Sequence, residues 1–215
     1  AVRAYNVPKI FYSSSACVYS EDKQVDRNNI DCREAAAYPA NPDSEYGWEK
    51  LFAERLYMNL HKHTNTQVRI ARFHNIFGPS SEYDSGREKA PAALCRKVSK
   101  CANGGSIDVY GTGEQVRSFL YITDCLDAIE DLMLSSYSAP INIGSNFTIS
   151  INDLAKKIIA ISGKSITINN IDVPQTGVIA RTSNNELFDR MVGTAKKVSL
   201  PYGLSELYLW VDSQT

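Results

Sequence analysis

Lys9-Ile10-Phe11-Tyr12-Ser13 follows Pro8 and runs into Ser14-Ser15-Ala16-Cys17. A short run of aromatic and β-branched residues bounded by serines predicts a buried strand ending in a polar loop. Asn41-Pro42-Asp43-Ser44 then supplies turn and N-cap chemistry ahead of a helical pattern over 45–60, where Leu51, Ala53, Leu56 and Leu60 share a face. Residues 68–73 read as a second strand, closed by Gly78-Pro79. Strand, helix, strand is the repeating unit of a parallel α/β sheet, and that sets the expected fold class.

Farther along, a helix is expected over 91–100, with Pro91 in its first turn, where a missing N–H does no harm. Residues 117–121 and 141–143 read as strands around a helix N-capped by Asp124. Residues 151–161 and 204–211 read as further helices, and 103–106 as a mobile surface turn.

The 215 residues carry 43% hydrophobic side chains, enough for a core, and 23 Lys+Arg against 24 Asp+Glu. That balance gives no basic field for nucleic acid or an anionic membrane, so an anionic ligand must be held by local charges. No apolar run approaches the roughly 18 residues of a membrane helix. Five widely spaced cysteines without a C-x-x-C pair fit reduced thiols and a cytoplasmic setting. His61, His63 and His74 lack metal-ligand spacing, so no metal is expected. The start at Ala1, in what reads as the end of a helix, suggests a fragment or a processed product.

Tyr46-Gly47-Trp48-Glu49-Lys50 sets a phenol and an ammonium one helical turn apart, on one face. An ammonium beside a phenol favours the phenolate that a general base for a sugar hydroxyl requires. The alternative is a solvated helix face. Ser15, in the loop after the first strand, could hydrogen-bond the oxygen that Tyr46 deprotonates, although a serine cluster is often only a loop.

The serine loop, the Y-x-x-x-K helix, the next strand and Asn75-Ile76-Phe77-Gly78-Pro79 together resemble the extended short-chain dehydrogenases, which use NAD on nucleotide sugars. Arg72-Phe73-His74-Asn75-Ile76-Phe77-Gly78-Pro79, Gly86-Arg87-Glu88-Lys89-Ala90-Pro91-Ala92-Ala93 and Ser15-Ala16-Cys17 resemble the GDP-mannose 3,5-epimerase family most closely. The resemblance implies the C-terminal part of a doubly wound, Rossmann-like parallel sheet over 1–80. It also implies a smaller sugar-nucleotide-binding lobe over 81–215, with about 115–145 returning to the sheet.

By the resemblance, Tyr46, Lys50 and Ser15 run oxidation and re-reduction at carbon 4, and Lys50, Tyr46 and Ser13 contact NAD. Cys17 and Lys89 occupy the positions of an acid/base pair that inverts carbons 3 and 5 once carbon 4 is a ketone. Without the family, Cys17 reads as a small buried hydrophobe and Lys89 as a surface lysine. Ser15, Ala16, Cys17, Asn75, Glu88, Lys89, Lys97, Gln115, Arg117 and Arg181 correspond to positions that hold the hexose or the GDP pyrophosphate. GDP-mannose or a related nucleotide sugar and a homodimer partner follow from the same resemblance.

The family's glycine-rich strand-to-helix turn, which cradles the NAD pyrophosphate, is made by none of the 12 glycines. The missing half is therefore expected upstream, and these residues alone are expected not to turn over. In Val178-Ile179-Ala180-Arg181 one of two family basic residues is kept. The rivals are another epimerase or a 4,6-dehydratase of the family, or a non-catalytic sugar-nucleotide-binding fragment. A dehydratase would favour an Asp-Glu pair in place of Ala16-Cys17.

Overall fold

A computed structural model describes residues 2, 4–26, 28, 30–172, 178–193 and 197–215. In chain order the elements begin with β1 (Lys9–Ser15), α1 (Glu45–His63), β2 (Gln67–Phe73), β3 (Ile76–Phe77), α2 (Ala90–Lys100) and β4 (Ser106–Tyr110). Next come β5 (Val116–Ser118), β6 (Leu120–Tyr121), α3 (Ile122–Leu134), β7 (Pro140–Ile143) and β8 (Thr148–Ser150). The chain ends with α4 (Ile151–Ser162), β9 (Thr167–Ile171), β10 (Ala180–Arg181), α5 (Glu186–Met191) and α6 (Leu200–Gln214).

β1, β2 and β7 form a parallel sheet in that order, so the strand-helix-strand unit read from 9–73 is the fold's first layer. The sheet is α/β in kind, and its serine-bearing strand end lies at the carboxyl edge, where open parallel sheets bind ligands. A second core gathers α2, α4 and α6 around Leu94, Val98, Leu154, Ile158, Leu204 and Leu207, all buried.

Leu51 and Leu56 do not share a face of α1, since five residues turn a helix by well over a right angle: Leu51 is buried and Leu56 is 54% exposed. Three further expectations change. Residues 117–121 are not one strand: β5 pairs with β8 and β10, whereas β6 pairs with β3. The break falls at Phe119, and the N–H of Leu120 turns to the carbonyl of Asn75, 3.2 Å away. Asp124 is not an N-cap, because α3 starts two residues earlier from Tyr121. Its carboxylate instead accepts from the Val198 N–H at 2.8 Å, tying the chain before α6 to the start of α3. Residues 103–106 do turn, but the turn is anchored: Gly104 N–H donates to Ser165 O at 2.7 Å and Asn103 Oδ1 accepts from Ser165 N–H at 2.7 Å.

A buried polar network joins α1 to the sheet. Arg72 on β2 and Glu54 on α1 are 2% and 3% exposed and pair twice, Nε to Oε1 at 2.9 Å and Nη2 to Oε2 at 2.7 Å. The Ser14 hydroxyl donates to the same carboxylate at 2.5 Å. Arg72 also reaches the Tyr19 hydroxyl at 3.3 Å, which donates to Asn142 Oδ1 at 2.6 Å, and His74 Nε2 meets that same oxygen at 3.0 Å. Breaking one side of a buried pair strands the other charge. Glu54→Ala is therefore expected to cost about 3–5 kcal/mol in urea denaturation, with Glu54→Leu/Arg72→Met together costing less than the single change.

Burial pushes the His74 imidazole down to about 4, from an ordinary value of 6.5. The unfolded chain then binds this proton first as pH falls, so the contribution is full above about 6.5 and is lost on the way to about 4. His74→Gln is expected to flatten the pH dependence of stability in that window by on the order of 3 kcal/mol, read as the difference between pH-dependent denaturation curves.

Candidate active site

Ser44 caps α1, its hydroxyl accepting the Gly47 N–H at 3.3 Å. The cap starts a helix on which Tyr46, Lys50 and Glu54 recur every four residues, and Glu54 is pinned beneath the sheet by Arg72 and Ser14. One turn above, the Lys50 ammonium donates to Ser13 O at 3.3 Å. It lies 5.4 Å from the ring of Tyr46 and 5.2 Å from that of Tyr12. The phenol and ammonium read from the sequence do form one unit, with Tyr46 half exposed at the strand end.

The three serines at that end divide by direction, as alternation along a strand requires. Ser13 offers its carbonyl to Lys50, and Ser14 is buried against Glu54. Ser15 accepts the Cys17 N–H at 3.2 Å and caps the 3-10 turn Ala16–Val18. That bond uses the oxygen of Ser15 and leaves its O–H hydrogen for another acceptor. Gly47 brings the two pieces together: a Cβ there would stand 2.2 Å from Cys17 O and 2.8 Å from Pro42 Cβ.

A separate set of residues lines an open cleft of about 660 Å³. Asn75, Glu88, Lys89, Lys97, Gln115 and Arg117, six residues named from the sequence, all line it. Asn75 sits at φ 47°, a left-handed conformation that asparagine tolerates, and donates to Ser118 O at 3.0 Å. Lys89 is the exposed N-cap of α2, and its ammonium makes no hydrogen bond to a described residue. Glu88 accepts from Arg96 Nη2 at 2.6 Å, while its Oε2 and the Gln115 Oε1 are buried without a protein partner. Backbone N–H groups, its own foremost, and Arg96 hold the Glu88 carboxyl below the usual range. Lys97 donates to Asp108 O at 2.6 Å and lies 4.6 Å over the Tyr110 ring; burial lowers its pKa.

Arg117 donates to Val116 O at 2.8 Å, Ile179 O at 3.2 Å and Val178 O at 2.7 Å. Burial, followed by the charge of Arg181, brings it down to about 10. Arg181, read as a ligand for pyrophosphate, does not line the cleft. Its guanidinium is committed to Gln24 at 2.5 Å, Asp43 at 2.9 Å and the sulfur of Cys17 at 3.2 Å. Ser13, Ser15, Ala16, Cys17, Tyr46 and Lys50 are likewise absent from the cleft lining, and the Cys17 sulfur faces Arg181 instead.

The other thiols differ from Cys17. Cys32, Cys95 and Cys125 are buried, and burial pushes them up to about 11, 12 and 12. The Cys101 thiol donates to Ala102 O and Ser106 O. His61 is taken up by Thr66 O at 3.0 Å, and the described residues contain no group of three or more metal-ligating side chains. Asp43, Gln24, Gly47, Glu54 and Tyr12 are given no part in the site by the sequence reading. A signal existed for Gly47, a glycine in the first turn of a helix, where it costs stability unless space demands it.

The NAD dependent epimerase/dehydratase family matches residues 1–144. The chain is 38% identical over 214 residues to a GDP-mannose 3,5-epimerase of Arabidopsis thaliana, covering 100% of this chain and 56% of the relative. Of solved structures, a UDP-N-acetylglucosamine 4-epimerase from Methanobrevibacter ruminantium, in complex with UDP-N-acetylmuramic acid, has a TM-score of 0.88 at 23% identity. It matches over 100% of this chain and 66% of its own. A UDP-glucose 4-epimerase from Thermus thermophilus, solved with NAD, has a TM-score of 0.82 at 16% identity, over 100% and 67% of the two chains. These two likenesses speak for the fold, and the chain spans little more than half the length of the plant relative.

Gly47→Ala is expected to destabilise the chain by more than the roughly 1 kcal/mol gained elsewhere when alanine replaces a helical glycine. The contact it meets is backbone, which cannot rotate away. Urea denaturation, with Gly105→Ala against the Cys101 side chain as a milder comparison, checks this.

Proposed function

The chain belongs to the NAD-dependent epimerase/dehydratase family, and we propose that it epimerises a nucleotide sugar, GDP-mannose at carbons 3 and 5, to GDP-galactose through a 4-keto sugar. The observation that carries this reading is convergence: Asn75, two residues before α2, two around β5 and Lys97 come from separate segments yet face one cleft. Whole-chain identity of 38% to a plant enzyme of that name supports the same choice of sugar.

In this reading Tyr46 takes the proton of the carbon 4 hydroxyl, with Lys50 holding the phenolate by charge at 5.4 Å from its ring. Ser15 donates its free O–H to the same sugar oxygen. Bound NAD would supply the hydride chemistry at carbon 4, with Lys50, Tyr46 and Ser13 holding its nicotinamide end. The residues present fit the ribose and nicotinamide end of that cofactor: a cationic donor, a phenol and a serine edge at the carboxyl end of a parallel sheet. The described residues include no glycine-rich turn leading from a strand into a helix, since Gly111 and Gly113 lead to β5.

The ketone makes the protons at carbons 3 and 5 acidic. Lys89, exposed in the cleft, exchanges a proton on one face; the family resemblance gives Cys17 the other face, its sulfur lying outside the cleft lining against Arg181. The buried acceptors of Glu88 and Gln115 suit sugar hydroxyls, which bring the hydrogens those oxygens lack. Arg117, whose guanidinium is anchored on three carbonyls, is the cation of the inner cleft and suits a phosphate oxygen. A cytoplasmic homodimer completes the reading, supported by the free thiols and by Trp48, Phe52 and Leu56 exposed along one stripe of α1.

The test is incubation with GDP-mannose and NAD in deuterium oxide, of these residues joined to the part of the plant relative outside the match. Deuterium at carbons 3 and 5, abolished by Lys89→Met, is the expected result. Loss of one water from the sugar would replace epimerisation with dehydration, and an unchanged sugar would sink the reading.

A further inference from the structure

Asp43 lies in the turn before α1, 138 positions from Arg181 in sequence, yet their side chains pair at 2.9 Å with only 16% and 12% exposure. Gln24 grips another edge of the same guanidinium at 2.5 Å. That amide is itself immobilised, fully buried and donating to Tyr19 O at 3.2 Å and Ser20 O at 3.1 Å. A planar guanidinium held on two edges has its plane and direction set. The remaining edge points Nη1–H at Cys17 Sγ, 3.2 Å away.

Magnitudes say which partner does the holding. A sulfur is a weak acceptor and could not keep an arginine from solvent or from an anion. A charge-assisted bond to a mostly enclosed carboxylate is about twice as strong as a neutral one. We propose that Asp43 is a positioning residue for Cys17, acting through Arg181. It fixes the guanidinium on the sulfur and keeps it off the cleft, leaving Arg117 to face the ligand's phosphate. The purpose of this arrangement rests on the reading of Cys17 as an acid/base group; the coupling itself does not.

The test is a double-mutant cycle that needs no substrate. Iodoacetamide labels the chain at one fixed pH near neutrality, and peptide mass spectrometry gives the rate at Cys17 divided by the rate at Cys101 in the same molecule. A cationic N–H beside a sulfur makes a cysteine reactive, so Asp43→Asn and Arg181→Gln are each expected to lower this ratio about threefold or more. With Arg181→Gln already present, Asp43→Asn should lower it no further. An unchanged ratio in Asp43→Asn, an equal fall in both backgrounds, or a rise from simple uncovering of the sulfur would each overturn the proposal. Should Asp43→Asn lose the fold, Asp43→Glu is read in its place. It should keep the ratio within about twofold of the parent, since it preserves the carboxylate, and a fall as deep as that of Arg181→Gln overturns the proposal. If the cycle holds while no deuterium enters the sugar, the reaction is wrong and the coupling stands. If deuterium enters while the cycle fails, the reverse follows.

Discussion

The ion pair of Glu54 and Arg72 is the constraint on which the candidate site rests. Two charges taken out of water are tolerated only when further hydrogen bonds support them, and here Ser14 adds to the carboxylate while the Tyr19 hydroxyl and the Glu34 carbonyl add to the guanidinium. The carboxylate belongs to α1 and the guanidinium to β2, with the serine on β1, so one cluster locks a helix to two adjacent strands. Tyr46 and Lys50 lie on the helical face that this cluster clamps. Their separation from the serine edge is therefore set by a buried network below them, not by their own weak mutual attraction.

Two kinds of polar group share the molecule. Those in the network beneath the sheet are satisfied mostly by one another, His74 Nδ1 being buried without a partner, and His74 is kept neutral there by burial. Those in the cleft are satisfied in part: Glu88 spends one oxygen on Arg96, and Gln115 keeps its carbonyl oxygen apart from protein donors.

Local patterns carried much of this. The aromatic and β-branched run over 9–13, the cap chemistry of 41–44 and the four-residue spacing of Tyr46 and Lys50 depend on neighbours along the chain, so the first β-α-β unit was legible. The cleft residues were named through family resemblance, and folding brought them together. What escaped was long-range. Nothing near 117–121 announces that the strand divides at Phe119 between two sheets, because the cause is the Asn75 carbonyl, 45 residues earlier in the chain. Asp124 reads as a cap by its type, yet its partner is Val198. Arg181 is named as a hexose or pyrophosphate ligand through the family resemblance, while Asp43 and Gln24, which claim it, lie in a turn and a short 3-10 segment.

The bare backbone contact at Gly47 has a mechanical consequence. Side chains can absorb small displacements by changing rotamer, but a helix start seated directly on the Cys17 carbonyl offers no such slack. The first turn of α1 and the 3-10 turn after β1 must then travel as a single body. Any hinging between that body and α2 would alter the span from the thiol to the amine at the head of α2 and leave thiol and phenol in fixed relation.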